Sequence, residues 1–207
     1  MNIMYGLAEE CENRLKENFR SENSVFLKLN SLFDLLPFAA LIDNKILCIH
    51  GGIGSSVNKL SEISSIRRPV QIVQDVSTPE QQLILDLVWS EYSDSVNDLA
   101  INDERDINKS GFIVKYGRDR LNRFMMENNV ALLVTSHMWI AEGVKKFAND
   151  KIVVVYSATN YCDKAMNLGG LLNINKYSTT IVPKLIDIWK GDKKSYRNCK
   201  NLSPIRK

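Results

Sequence analysis

The chain has 207 residues, 44% of them hydrophobic and 25% charged, a composition that excludes a disordered chain, a collagen or a disulfide scaffold and suits one domain with a sizeable core. Its 27 basic and 24 acidic side chains leave a net charge of +3, too little for the body of the chain to hold nucleic acid by charge. Residues 187–207 carry seven basic and two acidic side chains, so +5 sits in that segment and −2 in the rest, which reads as a basic flexible tail.

Met4, Leu7, Cys11 and Leu15 recur at helical spacing and predict an amphipathic helix over 4–19. Ser24 then precedes a second apolar periodicity, from Val25 through Leu29 and Phe33, which Pro37 stops. Two short apolar runs, 38–43 and 46–49, flank Asn44-Lys45 and predict a β-hairpin whose second strand ends at His50-Gly51-Gly52. After Arg68-Pro69 a polar linker leads to Pro79, placed for the first turn of a helix that runs to Trp89. Residues 90–111 turn to Asp, Asn, Ser and Glu, which predicts a long surface loop. The last third alternates: a helix over 118–128, a strand over 130–134, a helix near 140–148, a strand over 152–156, a loop over 157–168, and strands near 169–175 and 179–186.

The chain contains two histidines, His50 and His137, so every imidazole available for acid, base or metal chemistry is one of these. Each follows an apolar strand and enters a polar, small-residue loop, and ligands of α/β sheets collect at such strand ends. Spacing alone leaves two readings: paired ligands of a divalent cation, or two unrelated loop histidines with local hydrogen bonds. Tyr161 and Cys162 either contact a ligand or pack beneath one, and Arg105 lies in the polar loop where a charge is ordinarily just solvated. Cys11, Cys48, Cys162 and Cys199 form no C-x-x-C pair, and no apolar run is long enough for a membrane span, so a cytoplasmic or nuclear setting is expected.

Seven strings in register carry a resemblance. They are Leu36-Pro-Phe-Ala-Ala-Leu-Ile42, Cys48-Ile-His-Gly-Gly-Ile-Gly54, Arg68-Pro69, Leu87-Val-Trp-Ser90, Tyr116-Gly-Arg-Asp119, Ser157-Ala-Thr-Asn-Tyr-Cys162 and Val182-Pro-Lys-Leu-Ile186. Together they resemble the C-terminal half of the PPP-type protein serine/threonine phosphatases, and the Gly-Gly-Ile-Gly and Pro-Lys-Leu-Ile variants look most like the Kelch-repeat subfamily. The resemblance implies an α/β fold, a metallophosphatase-type β-sandwich flanked by helices, of which residues 1–186 form the C-terminal half. It also implies hydrolysis of phosphoserine and phosphothreonine in proteins by a hydroxide that two metal ions (manganese, iron or zinc) activate. By that resemblance His50 and His137 are metal ligands, Tyr161 lines the phosphate pocket, and Arg105, or alternatively Lys109, is a phosphate-binding cation.

Three departures accompany the matches. The family motifs Gly-Asp-x-His-Gly, Gly-Asp-x-x-Asp-Arg-Gly and Gly-Asn-His-Glu, which bring the other metal ligands, do not occur. Thr135 stands where the family has the arginine of Arg-Ala-His, and the segment Asn102–Gly111 is longer than its counterpart. The isolated chain is therefore expected to be inactive or weak, its partners being phosphoprotein substrates and a regulatory subunit or the missing N-terminal half. No membrane or nucleic-acid partner is expected. The other reading is a degenerate, non-catalytic interaction module of phosphatase descent.

Overall fold

Ser24 and Thr78 begin two of the helices with side-chain caps: Ser24 Oγ accepts from Leu27 N, and Thr78 Oγ1 from Gln81 N in a capping box that has Pro79 in the first turn. The computed structural model describes residues 2, 3, 5–73, 75–175, 181–186 and 200–201. In chain order the elements are α1 (Leu7–Leu15), α2 (Val25–Phe33), β1 (Ala39–Ile42), β2 (Ile46–Ile49), α3 (Leu60–Ser65), α4 (Pro79–Trp89), β3 (Glu91–Tyr92), β4 (Leu99–Ile101) and β5 (Val114–Tyr116). They continue with α5 (Arg118–Asn128), β6 (Leu132–Thr135), β7 (Val144–Phe147), β8 (Ile152–Val155), β9 (Gly169–Ile174), β10 (Ile181–Ile186) and β11 (Lys200–Asn201). Among the described residues no helix is long and apolar enough to cross a membrane.

The main sheet has the order β1-β2-β6-β8-β7, with β2, β6 and β8 parallel and the two outer strands antiparallel. Leu47, Ile49, Leu133, Ile152 and Val154 are buried from it against Leu83, Ile84 and Leu87 of α4 and Leu121 and Phe124 of α5. Each large side chain so buried is worth roughly 1.5–3 kcal/mol of transfer free energy. A three-stranded sheet, β11-β10-β9, and a small one, β3-β5-β4, complete the fold. A second cluster of Ala8, Cys11 and Phe26 joins α1 to α2, with Phe19 edge-on to Phe26 at 5.4 Å.

Three sequence expectations are corrected. The hairpin turn is Asp43-Asn44, both left-handed, closed by Lys45 N donating to Ile42 O at 3.0 Å, a mirror-image turn that suits the twist of the strands. The stretch near 140–148 is no helix: Gly143 has a positive φ of 75°, and Val144–Phe147 pair with β8 as an edge strand, so tertiary pairing overrides a weak local preference. Helix α3, between the glycines and Arg68-Pro69, is an element for which the sequence reading made no assignment. The polar stretch 90–111 is partly structured and buried, because β3 and β4 both pair with β5. Of the basic tail, only Lys200 and Asn201 lie within the described residues, opposite Leu185 and Lys184 of β10.

The loop after β2 is fixed from two sides. Asp86 of α4, 1% exposed, accepts hydrogen bonds from Ser56 N and Ser56 Oγ at 2.7 Å each and from Ser55 Oγ at 3.2 Å. Arg120 of α5, 4% exposed, donates to the carbonyls of Ile53, Gly54 and Val57. A Cβ at Gly54 would fall 2.2 Å from Asp86 Oδ1, so Gly54→Ala should lower stability by about 1–3 kcal/mol. A fall in the urea midpoint at constant m-value is the expected result, and an unchanged midpoint would contradict this close packing.

Candidate functional site

The parallel register of β2 and β6 aligns Cys48 with Val134, and beyond the strands Ser136 N donates to His50 O at 2.9 Å. The two histidines therefore leave the sheet side by side, with ring centroids 5.2 Å apart and planes at 66°. Gly51 allows the chain to turn away against α4. Its N–H donates to Leu87 O at 2.8 Å, and a Cβ there would lie 2.6 Å from the backbone carbon of Val88.

His137 is the more enclosed ring. Its side chain is 11% exposed, and Trp89 packs edge-on to it at 5.2 Å. Desolvation lowers its pKa to about 4, the Arg105 and His50 charges acting in the same direction and Glu91 opposing them. The ring is therefore neutral at physiological pH, with a lone pair available. His50 is more open, and desolvation lowers its pKa as well.

Behind the histidines lies Glu91, the first residue of β3, with its side chain 9% exposed. Its Oε1 accepts from Arg105 Nε at 3.0 Å, is ion-paired with Arg105 Nη2 at 2.9 Å and lies 3.5 Å from His137 Nε2. Its Oε2 accepts from Asn102 Nδ2 at 3.1 Å, and Asn102 is fully buried. Trp89 Nε1, Asn102 Oδ1 and His137 Nε2 are buried without a hydrogen-bond partner among the described residues. The loop that brings Arg105 here is held by Asp106, 3% exposed, which accepts from Ser110 N, Ser110 Oγ and Gly111 N. In front of the sheet a cleft of roughly 380 Å³ is lined by Phe38, Cys48, His50, Thr135, Ser136 and Ser157, among others.

The structure thus brings His50, His137 and Arg105 to one rim. Tyr161 is 49% exposed and packs edge-on to Tyr156 at 5.7 Å. Burial raises the Tyr156 phenol pKa, and the Arg105 charge pulls against that rise, so Tyr161 borders the same region. Its loop is braced by Asn167, which is 1% exposed, accepts from Tyr161 N at 2.9 Å and donates to Ala158 O at 2.7 Å. Lys109 sits in a left-handed turn, φ 51°, with its N–H donating to Asp106 O at 2.9 Å. Thr135 is 4% exposed inside β6, in register with Val154. Glu91 and Asn102 are the residues that reading the sequence missed. The available signal was an acid placed directly after Leu87-Val-Trp-Ser90.

A histidine pair and an arginine tethered beside it thus stand next to a cleft at the ends of parallel strands. A family model of the calcineurin-like phosphoesterase, or metallophosphoesterase, domain matches residues 8–140, and the chain belongs to this family.

Serine/threonine-protein phosphatase BSL2 of Arabidopsis thaliana is 35% identical over 188 residues, 90% of this chain and 17% of that protein. A solved protein serine/threonine phosphatase of Saccharomyces cerevisiae, described as similar to human phosphatase PP5, superposes with a TM-score of 0.74. The match covers 93% of this chain and 58% of that one at 24% identity, a likeness of fold. The chain therefore spans only part of either relative. The phosphatase resemblance and the α/β metallophosphatase fold read from the sequence are both met.

Membership of this family implies a divalent metal pair. Neutral His137 carries one ring lone pair for a cation, its Nε2 facing Glu91 Oε1 at 3.5 Å, and His50 stands beside it. Among the described residues, however, no group of three or more His, Cys, Asp or Glu side chains is arranged to hold a metal ion. Two imidazoles form one side of a cation site and leave a metal pair without enough ligands, so these residues alone do not fit the pair.

The ring signals of His137 should titrate near pH 4 in NMR. The unfolded chain takes up this proton at an ordinary histidine pKa of about 6.5, so stability should fall as the pH drops from about 6.5 toward 4. A His137 midpoint near the ordinary value would contradict the buried neutral ring.

Proposed function

We propose that this chain provides the histidine and arginine side of a protein serine/threonine phosphatase, acting on phosphoserine and phosphothreonine in protein substrates. The observation that carries the reading is the convergence, on one sheet rim, of the chain's two imidazoles with the Glu91–Arg105 pair. In this reading Arg105 holds a phosphoryl oxygen by charge and directional N–H donation, Tyr161 contacts the phosphate from the 157–168 loop, and His50 and His137 donate lone pairs to the metal side. The ions of the complete site are manganese, iron or zinc. The remaining ligands come from polypeptide outside this chain, and the isolated chain turns over phosphate esters weakly or not at all. A cytoplasmic or nuclear setting, where thiols stay reduced, suits its cysteine usage.

One observation favours a second reading, a non-catalytic interaction module. Thr135 is buried where the resemblance expects an arginine, so that cationic side chain is absent from the site.

The test joins this chain to the segment of the Arabidopsis relative that precedes the matched region and measures manganese-dependent hydrolysis of a phosphoserine peptide. The chimera should turn over, His50→Ala and His137→Ala should each lower its rate by at least about a hundredfold, and the chain alone should show negligible hydrolysis. A folded chimera with no activity, unresponsive to Thr135→Arg, supports the interaction module. Robust turnover by the chain alone would contradict the half-site account.

A further inference from the structure

We propose that Glu91 is a positioning residue whose single buried carboxylate sets Arg105 and His137 relative to one another. It stands at the end of α4, where the backbone is fixed: Ser90 N donates to Asp86 O at 3.2 Å, and Ser90 Oγ donates to the same carbonyl at 2.6 Å. From there the side chain reaches two separate segments at once. Oε1 accepts from Arg105 Nε, is ion-paired with Nη2 and lies 3.5 Å from His137 Nε2, and Oε2 accepts from Asn102.

A guanidinium 38% exposed and without this anchor samples many rotamers, because a long cationic side chain loses entropy when it is fixed in one geometry. Glu91 removes that freedom in advance. Asn102 acts on the carboxylate itself. Its donation to Oε2, from a fully buried position, holds the carboxylate plane so that Oε1 faces the guanidinium and the imidazole. Asp at position 91 is one methylene short of this span, and Gln keeps the length without the charge.

The inference deepens the phosphatase reading and rests on it only for its consequence, a preset arginine at the phosphate. The coupling itself is measured without turnover. In ¹⁵N- and ¹³C-labelled chain, the Arg105 Nε–Hε signal and the His137 ring signals are followed in wild type, Glu91→Gln, Glu91→Ala and Arg105→Met. Glu91→Ala should speed solvent exchange of Arg105 Hε by about tenfold, as loss of a charge-assisted hydrogen bond predicts, and should broaden the His137 ring signals. Glu91→Gln should restore both in part.

Arg105→Met should shift the His137 ring signals in wild type and produce a much smaller shift in the Glu91→Gln background, since the effect travels through the carboxylate. A folded Glu91→Ala chain with both signals unchanged, or an equal Arg105→Met shift in both backgrounds, would overturn the proposal. Should Glu91→Ala not fold, Glu91→Gln and Arg105→Met decide it by themselves. Titration of the manganese-loaded chimera, with this chain in wild-type or Glu91→Gln form, with inorganic phosphate distinguishes the two levels of inference. Coupling present with no phosphate binding in wild type counts against the phosphatase reading, whereas phosphate binding that is equal in wild type and Glu91→Gln counts against the preset arginine.

Discussion

The site depends on the parallel pairing of β2 with β6. Parallel strands bring their C-terminal ends to the same edge of a sheet, and ligands bind beyond that edge. Cys48 beside Val134 sets His50 beside Ser136, and His137 follows at once. Side chains alternate faces along a strand, so a slip of one residue in this register would exchange buried Leu47 and Leu133 for the opposite face. The hydrophobic core thus enforces the register, and the register enforces the histidine contact. Packing energy distributed over α4, α5 and the sheet is in this way converted into the position of two polar side chains.

A second layer of constraint is polar and buried. Asp86 and Arg120 hold the loop after His50, Asp106 holds the loop that carries Arg105, Asn167 holds the loop that carries Tyr161, and Glu91 joins the Arg105 loop to His137. Buried acids and amides of this kind lose solvation and recover it only when their partners are in place. Each loop at the rim is accordingly tied to the scaffold by enclosed polar side chains, an arrangement that favours a preset site over one assembled on binding.

Helices α4 and α5 were legible because their periodicity and caps are local: Pro79 and the Leu83, Leu87 spacing for one, the 118–128 pattern for the other. The histidines were legible because each terminates an unbroken apolar strand, and the family motifs around them gave each a role. Glu91 was not, since its burial comes from Asn102, Arg105 and His137, residues far along the chain whose approach no window of sequence reports. The same applies to β3 and β4, strands of two and three residues in a stretch rich in Asp, Asn and Ser, which β5 joins by lying between them. Strand β7 was misread as a helix because its lysine-rich edge, Lys145-Lys146, has the composition of a solvated helix face, while the deciding interaction is its ladder with β8.

In the proposed phosphatase site, what this chain contributes is a geometric relation between its two imidazoles, produced by strand register and maintained by buried polar ties. With only two histidines in the chain, that relation is open to a spectrally clean measurement: a nuclear Overhauser experiment on ring-labelled protein at neutral pH. Rings with centroids 5.2 Å apart should give a direct cross-peak between the His50 and His137 imidazole protons. Absence of that cross-peak in the folded chain would contradict the register-imposed pairing on which the account stands.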